Sequence, residues 1–145
     1  MEICTIGFTR TTAERFFGRL GDAGVHRLVD VRLNNTSQLA GFAKAADLPY
    51  FLRELVGATY EHEPLLAPTQ DILDAYKKRK GDWRAYERDF MALMEQRRVD
   101  AVLDRTRFEP LTALLCSEAT AEHCHRRLVV EFLAARWPDV EGVHL

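Results

Sequence analysis

The sequence contains no apolar run approaching the roughly 20 residues of a membrane-spanning helix, although 47% of its 145 residues are hydrophobic. No spanning helix is expected. Cysteine is scarce, limited to Cys4, Cys116 and Cys124, and this odd number argues against a disulfide framework and for reduced thiols. Neither sign of charge dominates: 20 Lys and Arg face 22 Asp and Glu, for a formal net charge of -2. That balance argues against a broad nucleic-acid footprint, so a nucleic-acid partner is not favoured. The first residues, Met1-Glu2-Ile3-Cys4-Thr5-Ile6-Gly7, lack the basic region and the long apolar stretch of a secretory signal. A cytoplasmic location is therefore expected. No repeat, linker or low-complexity segment breaks the chain, whose length suits one domain.

What the sequence does contain is an alternation of strand-like and helix-like segments. Residues 3–8 are β-prone and stop at Gly7 and a small-residue loop. A capping box beginning at Thr11 leads into Phe16, Phe17, Leu20 and Ala23 at helical spacing. Residues 25–31 read as a second buried strand, with Asp30 and Arg32 at its carboxyl end. The loop that follows, residues 33–42, is uncharged and rich in amides and hydroxyls, suited either to satisfying its own turns or to gripping a ligand. Asp47 and Pro49 open a helix that Gly57 ends, and residues 58–64 form a third strand with Tyr60 and His62 on one face.

Two further helices are predicted, one opened by Pro68-Thr69 and one capped by Asp82, making a helical insertion over about residues 66–98. The second carries Trp83, Tyr86, Phe90, Leu93 and Met94 at helical intervals, an aromatic spacing read as core. Residues 99–110 fit a short helix or a loop. Residues 111–115 read as a buried strand, a helix is predicted from Thr120 to the stop at Trp137-Pro138, and residues 140–145 give a last short strand. The expected architecture is α/β: a three-layer, mostly parallel sheet flanked by helices in a single compact domain.

The densest chemistry lies in residues 111–127, where a strand runs into a helix N-terminus, the place where open α/β sheets put their sites. With the first four strands parallel, Gly7, Asp30, Arg32, Tyr60, His62, Cys116 and Glu118 would all reach one edge, beside His125 and Arg126. Cys116 is a candidate nucleophile, because a helix N-terminus, arginine and histidine lower the pKa of a thiol. A phosphatase loop does not fit, since Glu122 stands where that loop needs its arginine. Glu118 is a candidate general acid/base or a nucleophile on a sugar carbon, and His125 is the third catalytic candidate. Gly7, Asp30, Arg32, Asn34, Asn35, Tyr60, His62 and Arg126 are candidate ligand-binding residues. Guanidinium groups beside glycine turns suit an anionic small molecule.

Each of these residues also has a structural reading. Cys116 fits a buried strand-end thiol, Glu118 a salt-bridge partner of Arg126 or Arg32, Asp30 a carboxylate holding backbone N–H groups or an arginine, and His125 a tether to a strand-edge carbonyl. A metal reading would gather Cys116, Cys124, His125, His62 and His144, but their spacing is not a familiar zinc pattern, and no cofactor is identified. The run Lys77-Lys78-Arg79-Lys80 reads as a solvated helix end.

Thr5-Ile6-Gly7-Phe8, Leu28-Val29-Asp30-Val31-Arg32, Tyr60-Glu61-His62, Leu114-Leu115-Cys116-Ser117-Glu118, Cys124-His125-Arg126 and Val143-His144-Leu145 resemble, in order, the successive motifs of the domain of unknown function family 488. The resemblance covers nearly the whole chain. It implies a compact α/β fold and a bacterial or archaeal cytosolic protein, and leaves activity open. Many members follow Asp-Val-Arg with a proline- and serine-containing turn and an arginine. Here Leu33-Asn34-Asn35-Thr36-Ser37-Gln38 stands instead, marking a subgroup with an amide-lined loop. Two function classes follow: a hydrolase or transferase acting on an anionic, nucleotide-like small molecule, and a non-catalytic ligand- or nucleic-acid-binding module.

Overall fold

Five short segments pair into one sheet: Glu2–Gly7 (β1), Arg27–Asp30 (β2), Thr59–His62 (β3), Thr112–Cys116 (β4) and Glu141–His144 (β5). The computed structural model describes residues 1–36 and 40–145, so Ser37 and Gln38 of the amide-rich loop lie outside the described residues. Every pairing is parallel, in the order β3-β2-β4-β1-β5. The helices are Ala13–Ala23 (α1), Leu48–Leu55 (α2), Gln70–Lys77 (α3), Trp83–Gln96 (α4), Val99–Val102 (α5) and His125–Arg136 (α6). This is the expected three-layer α/β domain, its sheet wholly parallel.

Alternate residues along each strand feed two separate cores, because successive side chains point to opposite faces. On one face Phe16, Phe17 and Leu20 of α1 and Leu48 and Leu52 of α2 cover Cys4, Ile6, Leu28, Ala113 and Leu115. On the other, Tyr86, Phe90 and Met94 of α4 and Leu128 and Phe132 of α6 cover Ile3, Val29, Leu114 and Cys116. Burying each such large apolar side chain contributes about 1.5–3 kcal/mol, so both helical layers are held by hydrophobic contact. The chain leaves β1 and β2 toward the first face, and leaves β4 toward the second. Since β4 lies between β1 and β2, its neighbours' connections diverge from its own, and a crevice opens at its carboxyl end.

Some local expectations shift. The cap of α1 is Thr12 rather than Thr11, its side chain accepting from Arg15 N–H at 3.2 Å. The larger correction concerns α6, which starts at His125 and not at Thr120. The carbonyls of Ser117 and Glu118 are taken by distant donors, Thr9 N–H at 3.0 Å and Arg126 Nη1 at 2.7 Å. Residues 117–124 run as turns and bends, and Cys124, extended at the N-cap (φ -138°, ψ 139°), interrupts the helical path before His125. In the region 66–98, α4 is a full core layer, whereas α3 has no fully buried residue. No helix among the described residues is long and apolar enough to cross a membrane.

Candidate active site

Strand register brings the carboxyl ends together. Gly7 of β1 is paired with Cys116 of β4, and Asp30 of β2 with both Leu115 and His62. The period of two then divides the residues by face. Asp30 shares the α1/α2 face with Leu28, whereas Cys116 shares the α4/α6 face with Leu114.

On the α4/α6 face, Cys116 Sγ lies 3.5 Å from Nδ1 of His125. The other ring nitrogen, Nε2, is 2.7 Å from the carbonyl oxygen of Val31. A carbonyl can only accept, so Nε2 carries a hydrogen and Nδ1 is the atom turned to the thiol. Cys124 completes the group: its Sγ, the Cys116 Sγ and a His125 ring nitrogen all lie within 4.8 Å of one another. All three residues are buried and both thiols are free. Hydrogen bonding from the Cys124 thiol outweighs burial and pulls the Cys116 pKa below the usual thiol value, helped by Ser117 and the charge of Arg126. The Cys124 thiol is pushed up by the same hydrogen bond and by burial, and so remains the proton donor of the pair. Three donor atoms this close can also share one soft cation.

This group forms the floor of a cleft of about 290 Å³. Its walls are aromatic: Tyr76, Trp83, Tyr86 and His123, with Trp83 stacked on Tyr86 at 5.0 Å and on His123 at 5.1 Å between ring centroids. Phe90, behind them, meets the His125 ring at 5.4 Å. At the mouth, Lys77 Nζ donates to Glu118 Oε1 at 2.8 Å, joining α3 to the loop after β4. Burial lowers the Lys77 pKa, but the hydrogen bond and charge of Glu118 more than offset it and hold the ammonium ionised. Arg32, Leu33 and Asn34 complete the opposite rim.

The polar residues of the other face form a closed network. Arg32 grips Asp30 with two guanidinium bonds of 2.8 Å and donates its backbone N–H at 3.1 Å. Tyr60 O–H donates to Asp30 Oδ2 at 2.6 Å, and Asn35 Nδ2 to the same oxygen at 3.2 Å. Arg32 also reaches the Ala43 carbonyl at 2.7 Å. Burial would raise the Asp30 pKa, but hydrogen bonding and charge from Arg32, with Tyr60, prevail and hold the carboxyl below its ordinary range. His62 Nε2 donates to the Arg32 carbonyl at 2.8 Å. Among the described residues, two buried side-chain atoms have no hydrogen-bond partner, Arg32 Nη1 and Arg126 Nε.

Of the residues singled out from the sequence, Cys116, Glu118, His125, Arg32 and Asn34 line the cleft. Asp30, Asn35, Tyr60 and His62 serve the network instead, and Arg126 is buried with its guanidinium on the Glu118 carbonyl. Gly7 is where that loop passes: a Cβ there would fall on the Glu118 carbonyl oxygen and 2.8 Å from Arg126 Nη1. Sequence reasoning did not select Tyr76, Lys77, Trp83, Tyr86 or His123 for the site. The signal available was the cluster of three aromatics flanking Gly81, Tyr76 at the end of α3 and Trp83 and Tyr86 in the first turns of α4.

No curated protein and no solved structure matches the chain. The sequence model of one family, described as Domain of unknown function DUF488, does match, over residues 12–133. That span takes in β2, β3, β4 and the whole Cys116–Cys124–His125 group, and the chain belongs to the DUF488 family.

Proposed function

We propose that this chain is a thiol-dependent enzyme, a hydrolase or transferase acting on an anionic, nucleotide-like small molecule held in the cleft. The observation that carries this reading is Cys116 Sγ set 3.5 Å from His125 Nδ1 at the floor of an aromatic-walled cleft. Cys116 is the nucleophile and His125 takes its proton, held in the required tautomer by the Val31 carbonyl. Attack on an electrophilic centre forms a bond to sulfur and releases the leaving group, protonated by His125. Water or an acceptor then displaces the sulfur. The aromatic walls suit a flat ring, since stacking contributes about 1–3 kcal/mol per base. Arg32 lines the cleft, and its Nη1, which has no hydrogen-bond partner, is the donor for an anionic group.

The test is alkylation of the intact protein with iodoacetamide over a range of pH, with the modified cysteine located by peptide mass mapping. Cys116 is expected to react at lower pH than an ordinary thiol, ahead of Cys4 and Cys124, and to be protected by a nucleoside monophosphate. If Cys116 reacts no faster than an ordinary thiol, the nucleophile assignment fails.

A second reading is favoured by one distance. Two metal bonds of about 2.3 and 2.0 Å at a tetrahedral angle put sulfur and nitrogen about 3.5 Å apart, which is the Cys116–His125 separation. The Nε2 bond to a carbonyl also suits a metal-bound histidine. Titration with cobalt(II) separates the two: a thiolate-to-cobalt charge-transfer band with loss of alkylation would favour the ion. The nucleic-acid alternative is weaker, because Lys77, Lys78 and Arg79 are paired with Glu118, Asp74 and Asp71.

A further inference from the structure

The enzyme reading uses Cys116 and leaves the proximity of a second thiol without a catalytic purpose. Cys124 is buried, and its sulfur lies within 4.8 Å of Cys116. It occupies the N-cap position of α6 but makes no side-chain capping bond, and its thiol is turned to Cys116 instead. The two residues are joined by turns and bends over residues 117–124 rather than by helix. A disulfide needs sulfurs at about 2.05 Å, so they must close by at most about 2.8 Å. Movement of that size is within the reach of two side-chain torsions and an irregular loop. Cys4, the remaining thiol, lies in the core on the other side of the sheet and cannot compete.

We propose that Cys116 and Cys124 are a peroxide-reactive redox pair, Cys116 being the sulfur that small hydroperoxides oxidise and Cys124 the one that resolves it. In the first step the Cys116 sulfur attacks one peroxide oxygen. An S–O bond forms, the O–O bond breaks, and the departing alkoxide or hydroxide takes the proton that His125 received from the thiol. Sulfur loses two electrons and the peroxide gains them, giving a sulfenic acid and an alcohol or water. In the second step the Cys124 sulfur attacks the sulfenic sulfur. An S–S bond forms, the S–O bond breaks, and hydroxide leaves with the Cys124 proton as water. A dithiol reductant returns both thiols by exchange.

The cleft admits a small oxidant to Cys116, which lines it. The disulfide removes the nucleophile while shielding it from further oxidation, so the same pair turns peroxide over and silences the site reversibly. The inference rests on the enzyme reading only in taking Cys116 as the reactive sulfur.

The experiment treats the full chain with one to two equivalents (about stoichiometric) of hydrogen peroxide and reads intact mass and cysteine-containing peptides. Wild type is expected to lose about 2 Da, with the Cys116 and Cys124 peptides joined, and to recover on addition of dithiothreitol. Cys124→Ser should instead gain about 16 Da and be trapped at Cys116 by dimedone, while Cys116→Ser should not change at the same dose. Sulfinic acid at Cys116 in wild type, with no linked peptide, overturns the pairing. Iodoacetamide labelling of the same sample separates the two failures. Fast alkylation of Cys116 without disulfide leaves the enzyme reading standing, whereas inertness to both reagents removes both.

Discussion

Asp30 and His125 lie on opposite faces of the sheet, yet they hold the same peptide group. The N–H of Arg32 donates to Asp30 Oδ1 at 3.1 Å, and the carbonyl of Val31, across the same amide, accepts from His125 Nε2 at 2.7 Å. The orientation of the imidazole is thus fixed by a peptide plane that a buried carboxylate fixes from behind.

Asp30→Asn is therefore expected to act twice. It leaves the Arg32 guanidinium, 3% exposed, without its charge partner, a change that costs about 3–5 kcal/mol. It should also slow Cys116 alkylation in the protein that remains folded, because the Val31 carbonyl is less firmly held. Urea denaturation and the labelling rate check the two effects separately; an unchanged labelling rate would limit Asp30 to stability.

The same network sets a pH window. The folded-state pKa of Asp30 is lowered, so its stabilisation is complete above the unfolded value of about 3.9 and is lost as pH falls through the folded value. Tyr60 is raised by burial and by its bond to Asp30. Its contribution is complete below the unfolded value of about 10 and is lost as pH rises beyond it toward the folded value. Tyr60→Phe should cost about 1 kcal/mol near neutrality and flatten the alkaline fall, as read from urea midpoints across pH.

Gly7→Ala places a methyl group against the Glu118 carbonyl and Arg126. Backbone there cannot yield as a flexible side chain would, so a loss of about 3 kcal/mol or more is expected. Thermal denaturation gives the loss, and any folded fraction should show a displaced loop in altered Cys116 labelling. Retention of wild-type stability would mean that the loop after β4 can yield over Gly7.

Cys124→Ala removes the largest influence that lowers the Cys116 pKa. A lowered pKa supplies thiolate at lower pH, so its loss moves the alkylation midpoint upward. Labelling near neutral pH should slow several-fold. Glu118→Gln, by contrast, breaks a pair that is 50% exposed at Lys77 and 41% at Glu118. Stability should change by less than about 0.5 kcal/mol, while turnover of a substrate, once found, should fall.

The parallel order of the elements was legible because Ile6, Val29 and Leu114 sit in short apolar segments separated by capped amphipathic helices. Once strand ends align, Cys116 and Gly7 must be neighbours. The Asp30–Arg32 pair was legible as well, lying two residues apart. What remained hidden depends on distances no local pattern encodes. The Lys77–Glu118 bridge joins residues 41 apart. The later start of α6 was hidden because it depends on the extended backbone of Cys124, which residue type alone does not dictate. The aromatics of α4 serve both as core and as wall: Phe90 is fully buried, whereas Trp83 is partly exposed on the cleft. Periodicity alone assigns both to the same stripe.

The chain has two tryptophans, and the fold places them in unlike surroundings. Trp83 stands in the cleft wall against His123, whereas Trp137 is buried beside Phe108 in the core. Emission from Trp83 is consequently a native optical report on occupancy of the cleft. Trp137 glows as an internal reference in the same spectrum, so ligands can be screened on the unmodified protein by the ratio of the two signals.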